Sequence, residues 1–475
     1  MAPKSIRAVG KFSFAAVCIG LFSAAISDRQ ANAATTDPVV APASVPGIPL
    51  LSTSPGAAYT IYLDFGGFNF TGTWGSNSGT PGITPAYDTD GNGASFSAGE
   101  VNNMRSIWAR IAQKFVGMNV NVTTVDPAVA AGQAGSDSSR QAYYDSTARM
   151  MHTVIGGNGA WSGGGGVSFI GATKNSYTTA GVNGGAGPGF HTDFVFAGLS
   201  PNNTRFIGEA TAHENGHGFG LNHQSDYTGS SLVNEYSTNN DASGIGTYAP
   251  IMGASYPISG HTNNVQRGTW RSGNSHVNDI GPTAQNDVAT IVGNPGMGGY
   301  VDDAVGHNRI TASPLPLAGG AIDPNLARGW INPVSLASPN PLGAGNYTTD
   351  FFSFQSDGIN PISLTVTDGT EFLAVGSADP GTTLNSTLKI LNGTGGVVGT
   401  AITAADTLSE TFNSLLPAGT YYAQIQSNGG YTSTFDTSAQ YYDMGAYFVT
   451  GAVPEPTTML TVISLAGLML RRRCD

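Results

Sequence analysis

Cysteine is nearly missing from this chain of 475 residues: there are two, Cys18 and Cys474, each inside a segment at one end. Two thiols so placed supply no disulfide framework, so stability outside the cell must come from the core or from bound metal. Positive charge is scarce as well. Nineteen Lys and Arg stand against 31 Asp and Glu, a net charge of −12. Lys4, Arg7, Lys11, Arg29, Arg471, Arg472 and Arg473 all lie near the ends, which leaves the interior more acidic still. Such a chain has no basic footprint for nucleic acid or for an anionic membrane surface, whereas divalent cations suit it.

The ends read as addresses. Lys4, Arg7 and Lys11 precede an apolar stretch over residues 12–26 and the small-residue site Ala31-Asn32-Ala33, the pattern of a secretory signal peptide over 1–33. At the other end, "VPEPTTMLTVISLAGLMLRRRCD" joins Pro-Glu-Pro to a short apolar run and three arginines. As a helix, residues 457–470 rise only about 21 Å, short of a comfortable bilayer span. The segment 452–475 resembles the PEP-CTERM sorting signal. That resemblance implies processing by an exosortase and a surface or extracellular place on a Gram-negative-type bacterium. Membrane contact is then expected only through these two ends.

Between the ends, residues 34–54 are rich in Pro, Ala and Thr and read as a flexible leader. From Tyr59 the pattern is regular. "YTIYLDF" alternates as a strand. "SAGEVNNMRSIWARIAQKF" reads as a helix, with Ser97 and Glu100 at capping-box spacing and Met104, Ile107, Trp108, Ile111 and Phe115 on one face. "NVNVTTV", "ARMMHTVIG", "GGVSFIGA" and "HTDFVFAG" follow as strands, and a further helix begins near Ile207. Residues 55–295 are therefore expected to form an α+β domain on about five strands. Residues 296–318 read as a linker. Beyond them "DFFSF", "ISLTV", "TLKIL", "VVGTAI", "TYYAQIQ" and "GAYFV" alternate with turn-rich segments, predicting an all-β sandwich over 319–451.

The chemistry concentrates in "EATAHENGHGFGLNHQ". His213 and His217 are four apart, so on a helix they project from one face and can bind one ion. Neutral imidazole suits Zn²⁺. Glu214 lies beside that face, where it can take a proton from a metal-bound water and pass it to a leaving amine. Gly220 permits a sharp turn that brings His223 back as a third ligand, leaving a fourth position open for water.

The full string H-E-x-x-H-x-x-G-x-x-H resembles the signature of the metzincin zinc endopeptidases. The resemblance implies a methionine turn beneath the metal, and "YAPIMGASY" offers Met252. In some metzincins a tyrosine two residues after that methionine steadies the oxyanion; here Tyr256, four residues on, is the candidate. "GGVSFIGA" would be the edge strand that pairs with an extended substrate. Gln224 departs from subfamilies that carry an acidic residue after the third histidine, and Asp226 is a candidate for that role. Residues 303–451 resemble the bacterial pre-peptidase C-terminal domain, notably in "TDFFSFQSDG" and "LPAGTYYAQIQ", a jelly-roll-like module appended to secreted peptidases.

A second metal is a possible reading of "YDTDGNGASFSAGE". Asp88, Asp90 and Asn92 alternate as oxygen donors of a calcium loop, but Glu100 falls one residue beyond the closing position and is claimed by the capping box. The alternative is an Asx-rich turn.

The expected function is thus a secreted zinc endopeptidase acting on protein or peptide substrates, with Glu214 as general base. The alternatives are an inactive surface adhesion or matrix protein with a peptidase-like domain, and a zinc hydrolase acting on a non-peptide bond.

Overall fold

The structure is a computed structural model. It describes residues 8–9, 47–75, 79–133, 135–162, 164–174, 190–237, 248–255, 267–277, 280–334, 348–369, 382–402, 408–428, 431–432 and 440–454. Apart from Ala8 and Val9, the expected signal peptide lies outside them, as do Tyr256 and most of the sorting tail. Among the described residues no helix is long and apolar enough to cross a membrane.

The N-terminal half is a mixed sheet with helices on it. β1 (Tyr59–Asp64) sits between β2 (Val120–Thr123) and β3 (Met150–Ile155), all parallel. β5 (Thr192–Val195) continues the parallel order beside β3. β4 (Gly166–Phe169) closes the sheet antiparallel to β5. Among the described residues, Ala8 and Val9 pair antiparallel with the outer edge of β4.

α1 (Ala98–Phe115) starts where the sequence places it. Ser97 Oγ accepts from Glu100 N, and Glu100 Oε2 accepts from Ser97 N at 2.7 Å, so both partners of the capping box are present. Its apolar stripe of Met104, Ile107, Trp108, Ile111 and Phe115 joins Ile61, Leu63 and Val122 of the sheet in one buried cluster. α2 (Asp137–Ser146) occupies the region around Gln141. α3 (Thr204–Gly218) lies against α1 and across β3, β4 and β5. Asn203 caps it, its side chain accepting from Phe206 N.

Two departures from the sequence reading concern connections. Residues 47–54, expected as the end of a loose leader, run along β2: Thr53 N donates to Val122 O at 3.1 Å and Leu51 N to Thr124 Oγ1 at 2.9 Å. Residues 296–318, expected as a linker, are docked at their start. Met297 is fully buried, and Val301 N donates to Gly117 O. Satisfying backbone amides on an existing edge is favourable wherever the chain passes one, and composition does not reveal that edge.

Three further strands are short of regular periodicity. β6 (His223–Gln224) pairs with β7 (Arg271–Val277), which also pairs with β8 (Ile280–Asn286). α4 (Asp287–Val292) follows.

The C-terminal part is mostly β. One sheet orders β10 (Thr349–Ser356), β15 (Gly419–Ser427), β12 (Ser386–Asn392) and β13 (Val397–Ile402) side by side. The other contains β14 (Ser409–Ser414), β11 (Ile362–Asp368), β17 (Asp443–Ala452) and β9 (Arg328–Val334). The inward residues of both, among them Phe352, Leu388 and Ile425 facing Leu364, Val366 and Val449, form a second buried cluster. β16 (Gln440–Tyr441) and the start of β17 leave this core. β16 pairs with β7, and Tyr442, Met444 and Ala446 are buried in the cluster built on α1 and α3.

Candidate functional site

α3 carries Glu209, His213 and His217 on one face at successive four-residue steps, with Glu214 beside them, and all four are fully buried. The helix stops at Gly218. Leu221 N donates to Gly216 O at 3.1 Å, and Gly220 takes φ +102°, a conformation open to glycine. The reversal carries the chain into β6 and returns His223 to the helix. Ring centroids lie 4.8 Å apart for His213–His217, 4.9 Å for His217–His223 and 5.3 Å for His213–His223. One nitrogen from each ring lies within 4.8 Å of the others.

Each imidazole is oriented from behind. His213 Nδ1 is 2.7 Å from Ile251 O, His217 Nδ1 2.7 Å from Leu221 O, and His223 Nδ1 2.8 Å from Glu235 Oε1. A donating Nδ1–H places the lone pair on Nε2, which is how metal-binding histidines are held. The Nε2 atoms of His217 and His223 are buried with no hydrogen-bond partner among the described residues. Burial lowers the pKa of all three rings, reinforced for His213 and His217 by neighbouring histidines; Glu235 works against it at His223. His217 is pushed down to about 3. Neutral rings with converging lone pairs fit a borderline-soft divalent cation, and three nitrogen ligands are the set expected for zinc.

Glu214 is held well above its ordinary carboxylate range by burial and, secondarily, by Asp193. Neither oxygen of Glu214 has a hydrogen-bond partner among the described residues. It reaches over β4 at Gly166, where a Cβ would stand 2.6 Å from Glu214 Oε1. Beneath α3, Asn215 Nδ2 donates to Thr153 Oγ1 at 2.9 Å, and Asp193 of β5 is pushed up to about 8 by burial.

Met252 lies in a turn closed by Gly253 N to Pro250 O at 2.9 Å. It packs under α3 at Gly216, where a Cβ would overlap Met252 Sδ. Gln224, the residue left open after the third histidine, donates from Nε2 to Asp287 Oδ1 at 2.8 Å and from its amide to Met252 O at 2.8 Å. Asp226, the sequence candidate for this neighbourhood, instead accepts from Asn234 at its own hairpin. A carboxylate does sit behind the third histidine's strand, but it is Asp287, 63 positions from Gln224.

The sequence reading also missed Glu235, Asp193, Glu209 and Tyr236. Tyr236 packs its ring 4.2 Å from His223 and 6.2 Å from His213. Glu209 stands one helical step before His213 and was legible from that spacing; Glu235, Asp193 and Tyr236 have no such helical offset to mark them.

Asp88, Asp90 and Glu100 do come together, their oxygens within 4.8 Å. Asp88 Oδ1 accepts from Asp90 N and Gly91 N, and Glu100 accepts from Thr89 N and Ser97 N. Asn92 turns to Ser95. These bonds are those of an Asx turn and a helix cap.

Residues 113–224 match the sequence model of the reprolysin-like metallopeptidases of family M12B. The matched segment runs from the end of α1 to Gln224 and includes His213, Glu214, His217 and His223. The family implies zinc and a peptidase reaction. No curated protein matches the chain. Among solved structures, the pre-peptidase C-terminal domain of a collagenase from Bacillus anthracis is 12% identical, covering 25% of this chain and 86% of that one, with a TM-score of 0.14.

Proposed function

We propose that this protein is an exported zinc endopeptidase of metzincin type, with His213, His217 and His223 as ligands and Glu214 as general base. The observation that carries the reading is the convergence of three imidazoles, each braced through Nδ1, on a buried point beside the buried carboxylate of Glu214. Zinc held there would supply Lewis acidity toward a carbonyl oxygen and lower the pKa of a bound water.

The chain's own residues do the rest. Glu214, buried beside the converging imidazoles, would accept a proton from the attacking water and return it to the leaving amine. The edge of β4, paired in the structure by Ala8 and Val9 of the expected signal peptide, would offer its backbone groups to an extended peptide once that segment is removed. Met252 fills the floor of the site beneath α3. The substrates are proteins or peptides, and the readings of the two ends as signal peptide and sorting tail support an extracellular or surface destination.

The test is Glu214→Gln. Zinc content should stay at one per chain while cleavage of an unfolded protein falls by about 10²–10⁴-fold, the range for loss of a general acid–base group. Undiminished cleavage refutes the role of Glu214. Wild-type protein that is folded and zinc-loaded yet inert on every unfolded substrate supports the inactive surface-protein reading instead.

A further inference from the structure

The final strands of the C-terminal sandwich enter the wall behind the histidines. β7 is paired along one edge by β8, so β6 and β16 share its other edge in series: His276 pairs with His223, Ser275 with Gln224, and Arg271 with Tyr441. A strand of the C-terminal region therefore continues the edge that holds the third histidine.

Two chains of contacts lead from it to the site. The Arg271 guanidinium lies over the Tyr441 ring, 5.7 Å from its centroid, in cation–π range. Arg271 Nη1 donates to Ser237 Oγ at 2.8 Å, and Arg271 O accepts from Gln224 Nε2 at 3.2 Å. Ser237 N in turn donates to Gln224 O at 2.8 Å. Gln224 is the residue next to His223, so its backbone is fixed by the residues that Tyr441 packs against. The second chain starts at Tyr442, whose carbonyl accepts from Thr269 Oγ1 at 2.6 Å. Thr269 O accepts from Ile251 N at 3.0 Å, and Ile251 O receives the Nδ1 contact of His213. Tyr441 and Tyr442 are both buried.

We propose that the C-terminal sandwich is a working part of the metal site, and that Tyr441 is a positioning residue that acts through Arg271 and Gln224 on His223. This rests on the zinc reading above. The sandwich supplies a fixed wall that holds two of the three imidazoles in register. Loss of outer contacts to metal-binding histidines characteristically weakens metal affinity 10–100-fold, and the same range is expected here.

The experiment uses the full chain and reads zinc affinity by competition with a chelator, together with the visible spectrum of the cobalt-substituted protein. Tyr441→Phe keeps the ring under the guanidinium and should bind zinc within about threefold of wild type. Tyr441→Ala, and Tyr441→Leu as a variant that keeps volume and folding, should weaken zinc by about tenfold or more and shift the cobalt bands. Gln113→Ala is the control. It removes a different contact between the two parts, Gln113 Nε2 to Gly369 O at 2.6 Å, without touching Arg271. It should lower the melting temperature and leave zinc affinity unchanged. Wild-type zinc affinity in Tyr441→Leu overturns the proposal, as does an equal loss in Gln113→Ala. Failure of the wild-type protein to bind zinc refutes the zinc reading itself, a separately visible outcome.

Discussion

Substituting Glu209 tests how α3 is held, because its carboxylate sits among charges with no access to water. Glu209 Oε1 is 3.1 Å from Arg110 Nη1 and 3.2 Å from Lys114 Nζ, and Oε2 accepts from Ser255 Oγ at 2.9 Å. The Glu209 and Lys114 side chains are 0% exposed and that of Arg110 9%. Glu209→Ala would remove the carboxylate shared by two cations of α1, Arg110 and Lys114, the latter also donating to Gly268 O. Removing one member of a buried ion pair costs about 3–5 kcal/mol, because the orphaned charge stays desolvated. Against a total stability of about 5–15 kcal/mol this is a large fraction.

The assay is urea denaturation followed by tryptophan fluorescence, since Trp108 and Trp270 are buried in the same core. Burial by itself would raise the Glu209 carboxyl, but Lys114, Arg110 and Arg205 outweigh it and hold it below its ordinary value. Its contribution is therefore present above the unfolded value near 4.5 and is lost as pH falls through the lower folded value. The gap between wild type and Glu209→Gln should narrow in acid. Adding Lys114→Met to Glu209→Gln should recover part of the loss if the orphaned charge is the cause. A cost under about 1 kcal/mol for Glu209→Ala at neutral pH would refute the reasoning.

Gly166→Ala should displace Glu214 and lower turnover while zinc content holds, because a Cβ there stands 2.6 Å from Glu214 Oε1; unchanged turnover sinks the placement of Glu214 over β4. Asp193, pushed up to about 8 by burial, favours its protonated form in the folded state. Stability should then fall between about pH 4 and pH 8. Asp193→Asn should show a gain in melting temperature that grows over this window, whereas an equal gain at both ends contradicts it. His307 is raised to about 9, chiefly by its bond to Asp350, with Thr349 O and Asp302 assisting against burial. Its contribution is full below the unfolded value near 6.5 and disappears as pH rises through 9. His307→Gln should therefore melt lower than wild type at pH 6, with the difference closing by pH 10.

The legible part of this protein was its local part. Helix α1 could be placed from Ser97 and Glu100 because a capping box lies within four residues. His213, Glu214 and His217 could be grouped because a helix repeats every 3.6 residues, and Gly220 announced the turn that returns His223. Alternation of buried and exposed residues marked the C-terminal strands. For Asp88, Asp90 and Glu100 local spacing served two readings, a calcium loop and an Asx turn with a cap, and the structure brings the three carboxylates together while making the turn and the cap.

The sequence by itself grouped His213, His217 and His223 as the proposed ligands and Glu214 as the proposed base, since their spacing is carried within eleven residues. Only the tertiary structure decided what braces them. Glu235 behind His223, Asp287 behind Gln224, Arg110 and Lys114 around Glu209, and Tyr441 against Arg271 are brought in by strand pairing and helix packing. Such contacts have no characteristic separation along the chain, because they are set by which surfaces are buried together, and burial belongs to the folded chain as a whole.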